Sequence, residues 1–70
     1  MMKLIEDHYY FCRVKGKIQA RKLIGVSFGE IAYLDDSYGS RIEIYIEKDL
    51  LDYIGPDLED LNLKFPEYFI

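Results

Sequence analysis

One cysteine, one histidine and two prolines are all that this 70-residue chain holds of the residues that staple, ligate and kink small domains. A lone Cys12 cannot close an intrachain disulfide, and no second thiol stands at a metal-binding spacing. The staples of small secreted domains are therefore excluded, and a reducing, cytoplasmic setting is the expectation. No apolar run approaches the roughly 18 residues of a membrane helix, so no membrane partner is expected. The first residues, Met-Met-Lys-Leu-Ile-Glu-Asp, turn acidic before an apolar stretch develops, which argues against a signal peptide. Internal repeats, linkers and low-complexity tracts are absent as well.

The single histidine also limits the chemistry. Gly25-Val26-Ser27-Phe28-Gly29 spells Gly-x-Ser-x-Gly, the letters of a hydrolase nucleophile elbow. That chemistry needs a histidine downstream, on a much larger parallel sheet, whereas His8 lies upstream. His8 and Cys12, four residues apart, supply two ligands or an incomplete Cys–His pair, without an oxyanion hole or a cleft. The acids around Asp35-Asp36-Ser37-Tyr38-Gly39 lack the alternation of a calcium loop and read as a turn. No catalytic residue, metal or cofactor is assigned, and the protein is read as a non-enzyme.

What the chain has in quantity is apolar and aromatic side chains, 50% and 16% of its residues. A domain of this size buries only about 60% of the surface its unfolded chain exposes. So much apolar material makes either a dense core or a surface shared with a partner.

Residues 41–47 give the clearest pattern. Ile42, Ile44 and Ile46 alternate with Arg41, Glu43, Tyr45 and Glu47, a period of two that marks a half-buried strand. Residues 48–54 follow with Leu50, Leu51 and Ile54 at helical spacing and a Gly55-Pro56 stop, which predicts a short helix. Upstream, residues 8–14 and 17–24 flank Lys15-Gly16 and predict a hairpin with Val14 opposite Lys17. That register puts Tyr9, Phe11, Ile18 and Ala20 on one face, read as the core. It puts His8, Tyr10, Cys12, Gln19 and Arg21 on a semi-exposed one. Residues 3–6 suggest a first strand, Gly25 and Gly29 a bend or turn, and residues 30–34 a further strand. Pro56 with acids after it suggests one more helical turn. The fold expected is mainly β within the α+β class: a single domain over 1–70, a small twisted antiparallel sheet or open barrel of about five strands, with one short C-terminal helix.

Charge is divided along the chain. Residues 1–34 hold six cations against three acids and residues 35–70 three against ten, a net of +3 beside −7. An acidic half carrying exposed tyrosines suits a basic partner protein, such as one that binds nucleic acid. The leading expectation is therefore an interaction module that occludes or bridges such a partner, an inhibitor of the kind found in viruses and mobile elements. Its contact residues would be Glu43, Tyr45, Glu47, Asp49, Asp52, Asp57, Glu59 and Asp60. An alternative is a barrel-type nucleic-acid binder using the basic, aromatic hairpin 9–22, through Tyr10, Arg13, Lys15, Lys17, Arg21 and Lys22. Another is a homo-oligomer held by the apolar C-terminus, through Phe65, Tyr68, Phe69 and Ile70.

Overall fold

The computed structural model describes residues 4–35, 39–46 and 48–69. Among these residues five antiparallel strands form one open sheet: β1 (Tyr9–Val14), β2 (Lys17–Ser27), β3 (Ile31–Asp35), β4 (Arg41–Tyr45) and β5 (Leu51–Gly55), in the order β4-β3-β2-β1-β5. A helix α1 (Leu58–Lys64) and a 3-10 turn, Pro66–Tyr68, close the chain.

The expected hairpin forms in the expected register, with Val14 opposite Lys17 and Tyr9 opposite Lys22. Its two-residue turn has positive φ at both Lys15 (51°) and Gly16 (81°), the twist that matches antiparallel strands. Gly25 marks a break in the β2–β3 register, and Gly29 sits in the β2–β3 turn. Both of the expected irregularities are therefore present. The alternation expected over residues 41–47 holds through the described residues 41–46: Ile44 is buried, and Ile42 and Ile46 pack against the core, while Glu47 lies outside the described residues.

Both faces of the sheet are used. The inner face carries Tyr10, Cys12, Leu23, Ala32, Leu34, Ile44 and Leu51, with Leu4, Val14, Ile42 and Ile46 at its margins. Among the described residues no helix lies over it, yet Tyr10, Cys12, Leu23, Ala32 and Leu34 are wholly buried. A flat sheet of five strands would be roughly 19 Å across and would leave them open. The sheet must therefore curl, so that edge residues Ile44 and Leu51 close over one core. The outer face of β1, β2 and β5 is covered instead by the C-terminal rings. Phe65 and Tyr68 pack on Phe11 at 5.3 and 5.0 Å between centroids, and Phe69 packs on Tyr9 at 5.9 Å.

Three expectations are corrected. Residues 48–54 are not a helix: 51–55 form β5, which pairs with β1 through Leu51↔Cys12 and Tyr53↔Tyr10. The apolar run was too short for its period to decide, and strand pairing along β1 decided it. The helix lies one segment later, where Asp57 accepts the Glu59 N–H at 3.1 Å as N-cap and Leu61 is buried against Gly55. Of residues 3–6, those described are irregular. The chain is tied in just after them, where Asp7 N–H donates to Leu23 O at 2.8 Å and Leu23 N–H to His8 O at 2.9 Å. The core face of the hairpin is also the other one. Tyr10 and Cys12 occupy the inner core, while Ile18 is 44% exposed. Tyr9, Phe11 and Ala20 are buried or half-buried on the outer face, beneath the C-terminal rings.

Candidate interaction surfaces

The predicted acidic residues do not form one surface. Glu43 and Tyr45 lie on β4 and Asp52 on β5, the two opposite edges of the sheet. Several acids serve the fold locally. Asp49 accepts the Tyr45 N–H at 3.0 Å and pins the β4–β5 turn. Asp57 caps α1, and Asp60 pairs with Lys64 at 3.1 Å, one helical turn on. Asp52 and Glu59 are exposed, and Glu47 lies outside the described residues.

The predicted basic residues are divided as well. Strand alternation places Lys17 and Arg21 on the inner face and Arg13 and Lys22 on the outer one. Tyr10 is 0% exposed, so it offers no stacking platform for a base. Lys15, Lys17, Gln19 and Arg21 line a groove of about 420 Å³ whose apolar walls are Val14 and Ile42. Gln19 Oε1 accepts from the Arg21 guanidinium at 2.6 Å. Of the predicted oligomer contacts, Phe65, Tyr68 and Phe69 pack edge-on or tilted against this chain's own Tyr9 and Phe11, and Ile70 lies outside the described residues.

Cys12 has no exposed thiol. It donates weakly to Gln19 O at 3.6 Å, and burial pushes its pKa up from 9.0 to about 11, against the lowering influence of Arg21. The thiol should resist alkylation at pH 8 until urea unfolds the chain. The unfolded thiol ionises first, so stability is full below pH 9.0 and declines as pH rises toward 11. The decline should reach roughly 2–3 kcal/mol. Equal slopes of stability against pH for wild type and Cys12→Ala would overturn this account.

The outer face of β3 and β4 is where the sheet remains open. Alternation brings Ile31, Tyr33, Glu43 and Tyr45 to that face, with Ile31 opposite Tyr45 and Tyr33 opposite Glu43. The C-terminal rings cover the neighbouring strands, while Tyr45 stays 56% exposed. Both tyrosines are held in place by cations over their rings, Arg41 at 5.5 Å from Tyr33 and Lys48 at 5.5 Å from Tyr45.

At one end of this face stands a residue that sequence reasoning missed. The β2–β3 turn is closed by Glu30 N–H donating to Ser27 O at 3.0 Å, with φ of 52° at Phe28 and 69° at Gly29. Positive φ at both central residues is the arrangement that Asn-Gly and Gly-Gly supply readily. For a bulky side chain it costs about 1–2 kcal/mol. Phe28 meets that cost while 98% exposed. Lys15 adopts a similar φ, but a lysine loses nothing by standing in water. The available signal was an aromatic followed at once by a glycine in a predicted turn.

Comparison with known protein families, curated proteins and solved structures finds no match to this chain.

Proposed function

We propose that the protein is a non-enzymatic interaction module that presents the outer face of β3–β4 to a basic partner protein. The observation that carries the reading is the half-covered sheet: the C-terminal rings stop short of a face bearing Ile31, Tyr33 and Tyr45 with Glu43 among them. Tyr45 is exposed and Tyr33 half-buried, each beneath a cation, and tyrosines are side chains that interfaces favour; Glu43 between them would meet Lys or Arg on the partner. With so small a body, binding would act by occlusion or bridging, which keeps the inhibitor reading and its viral or mobile-element setting. The lone, buried, inert thiol supports a reducing, cytoplasmic location.

The test is a tagged pull-down from lysate of the source organism or its host, with and without nuclease, using wild type and the double variant Glu43→Lys/Tyr45→Ala. Both substituted side chains are exposed, so the variant should fold. Wild type should retain a stoichiometric protein that survives nuclease, and the variant should weaken that capture by at least tenfold. Unchanged capture by the variant removes this face from the proposal. Capture that vanishes with nuclease favours nucleic acid at the groove beneath Lys15 and Lys17 instead.

A further inference from the structure

We propose that the free edge of β4 pairs with the same edge of a second copy, in an antiparallel register centred on Ile42, to give a symmetric dimer. The pairing goes beyond the partner reading above and stands independently of it. That reading uses a face of the sheet, and this one uses its border.

Hydrogen bonds identify the edge. Ile46 N–H donates to Glu30 O at 2.9 Å, so residues 42, 44 and 46 turn their backbone groups toward β3. Residues 41, 43 and 45 turn theirs outward. Tyr45 is already provided for. Its N–H donates to Asp49 Oδ2 at 3.0 Å, and its carbonyl accepts from Asp49 N–H at 2.9 Å and Lys48 N–H at 3.2 Å. Among the described residues nothing meets the outward groups of Arg41 and Glu43. These residues leave one donor and one acceptor each on a strand with no proline and no break in register, the kind of edge that templates pairing.

A two-fold axis at Ile42 uses all of these groups. Arg41 then stands opposite Glu43 of the second copy, and Glu43 opposite its Arg41. Each opposed pair exchanges both N–H···O bonds, and no outward group of either residue is left over.

The side chains select the same register. Arg41 and Glu43 are exposed on one face, so opposite charges meet directly across the strands twice. The Arg41 guanidinium already lies over the Tyr33 ring at 5.5 Å, which holds it on that face. An axis at Arg41 or at Glu43 sets like charges against each other. An axis at Ile44 calls on the groups of Tyr45 that Asp49 and Lys48 occupy. On the inner face Ile42, half-buried at the core margin, meets its own copy at the close spacing of a non-hydrogen-bonded pair, about 4.5 Å between Cα atoms. Pairing with the opposite edge, β5, satisfies less: Leu51–Gly55 offers Asp52 to Arg41 but no cation to Glu43. The occupant that answers both charges is a second copy of this chain.

So short a strand buries little surface, which makes the dimer weak and reversible, with the monomer prevailing at low micromolar concentration. In the dimer the outer faces of both β3–β4 pairs join into one continuous sheet, and Tyr33 and Tyr45 are presented twice.

The experiment is sedimentation of the purified full chain over roughly 1 µM to 1 mM, which needs no other partner. Wild type should pass from monomer to dimer, and the association should weaken as salt rises. Glu43→Arg, which faces Tyr33 in its own chain, should keep its melting temperature and weaken association by about tenfold or more. Arg41→Glu should weaken it as much, with a lower melting temperature, because the new acid stands opposite Asp35. The double swap Arg41→Glu/Glu43→Arg restores opposite charges in this register alone and should recover the dimer. Backbone pairing has its own signature: amide exchange at Arg41 and Glu43 should slow as concentration rises, and exchange at Ile42 and Ile44, whose N–H groups serve β3, should not change.

A chain that stays monomeric throughout overturns the proposal. So does a dimer that neither single variant weakens, a folded double swap that fails to recover it, or a dimer in which Arg41 and Glu43 exchange as they do in the monomer.

Discussion

Tyr10→Ala leaves most of the protein unfolded at 25 °C, whereas Tyr10→Phe folds with a modest loss. Tyr10 is wholly buried, and it ties three parts of the chain together. Its hydroxyl accepts the Ile5 N–H at 2.8 Å, holding the N-terminal segment. Its ring meets Tyr53 of β5 at 5.4 Å, edge to face, and the Tyr53 hydroxyl reaches His8 Nδ1 at 2.8 Å. Truncating a buried aromatic to alanine costs about 3–5 kcal/mol, from lost burial and the cavity left behind. A core of this size supplies a total of only about 3–5 kcal/mol, so the variant sits at or beyond its midpoint without denaturant. Phenylalanine keeps the ring and loses only the acceptor for Ile5, worth about 1 kcal/mol. Urea titration followed by far-ultraviolet circular dichroism separates the two. A Tyr10→Ala midpoint equal to wild type would show that the inner face is not the core.

Much of this architecture was legible where local chemistry is short-ranged. Lys15-Gly16 between two strand-forming runs dictated the first hairpin down to its register, because a two-residue turn allows few alternatives. The isoleucine alternation of residues 41–47 located β4, and Pro56 with the acids after it marked one helical turn where the longer α1 forms. What was not legible depended on contacts distant in sequence. Leu51 and Ile54, three residues apart, favour a helical spacing, and only pairing of this segment with Cys12 and Tyr10, about 40 residues away, makes β5 a strand. The hairpin was expected to bury one face, but a curled sheet and a C-terminal cover bury both, so period two could not name the core face. The same distance limits the site. A charge tally over residues 35–70 sums Glu43 and Asp52, which the fold sends to opposite edges. Phe28 escaped because turn signals show where the chain reverses and carry no information about which side chain the turn holds out.

Removing residues 65–70 converts the protein from a folded domain into one that self-associates. If the terminal rings served contact between copies, truncation would leave a monomer. In the structure they serve the chain itself: Phe65 and Tyr68 cover Phe11, and Phe69 covers Tyr9. Each aromatic pair is worth about 0.5–1.5 kcal/mol beyond the area it buries. With that area included, the segment contributes on the order of 3–5 kcal/mol, close to the whole stability expected of the domain. Loss of the cover also leaves Tyr9 and Phe11 side by side on an open sheet face next to the β5 edge, an arrangement prone to association. The truncated chain should therefore melt well below wild type and sediment as larger species at micromolar concentration, and a polar single variant, Phe69→Ser, should show a milder form of both. A truncated chain that stays monomeric and melts with wild type would mean that the rings do not cover the sheet, and it would return the C-terminus to the list of surfaces open to a second copy.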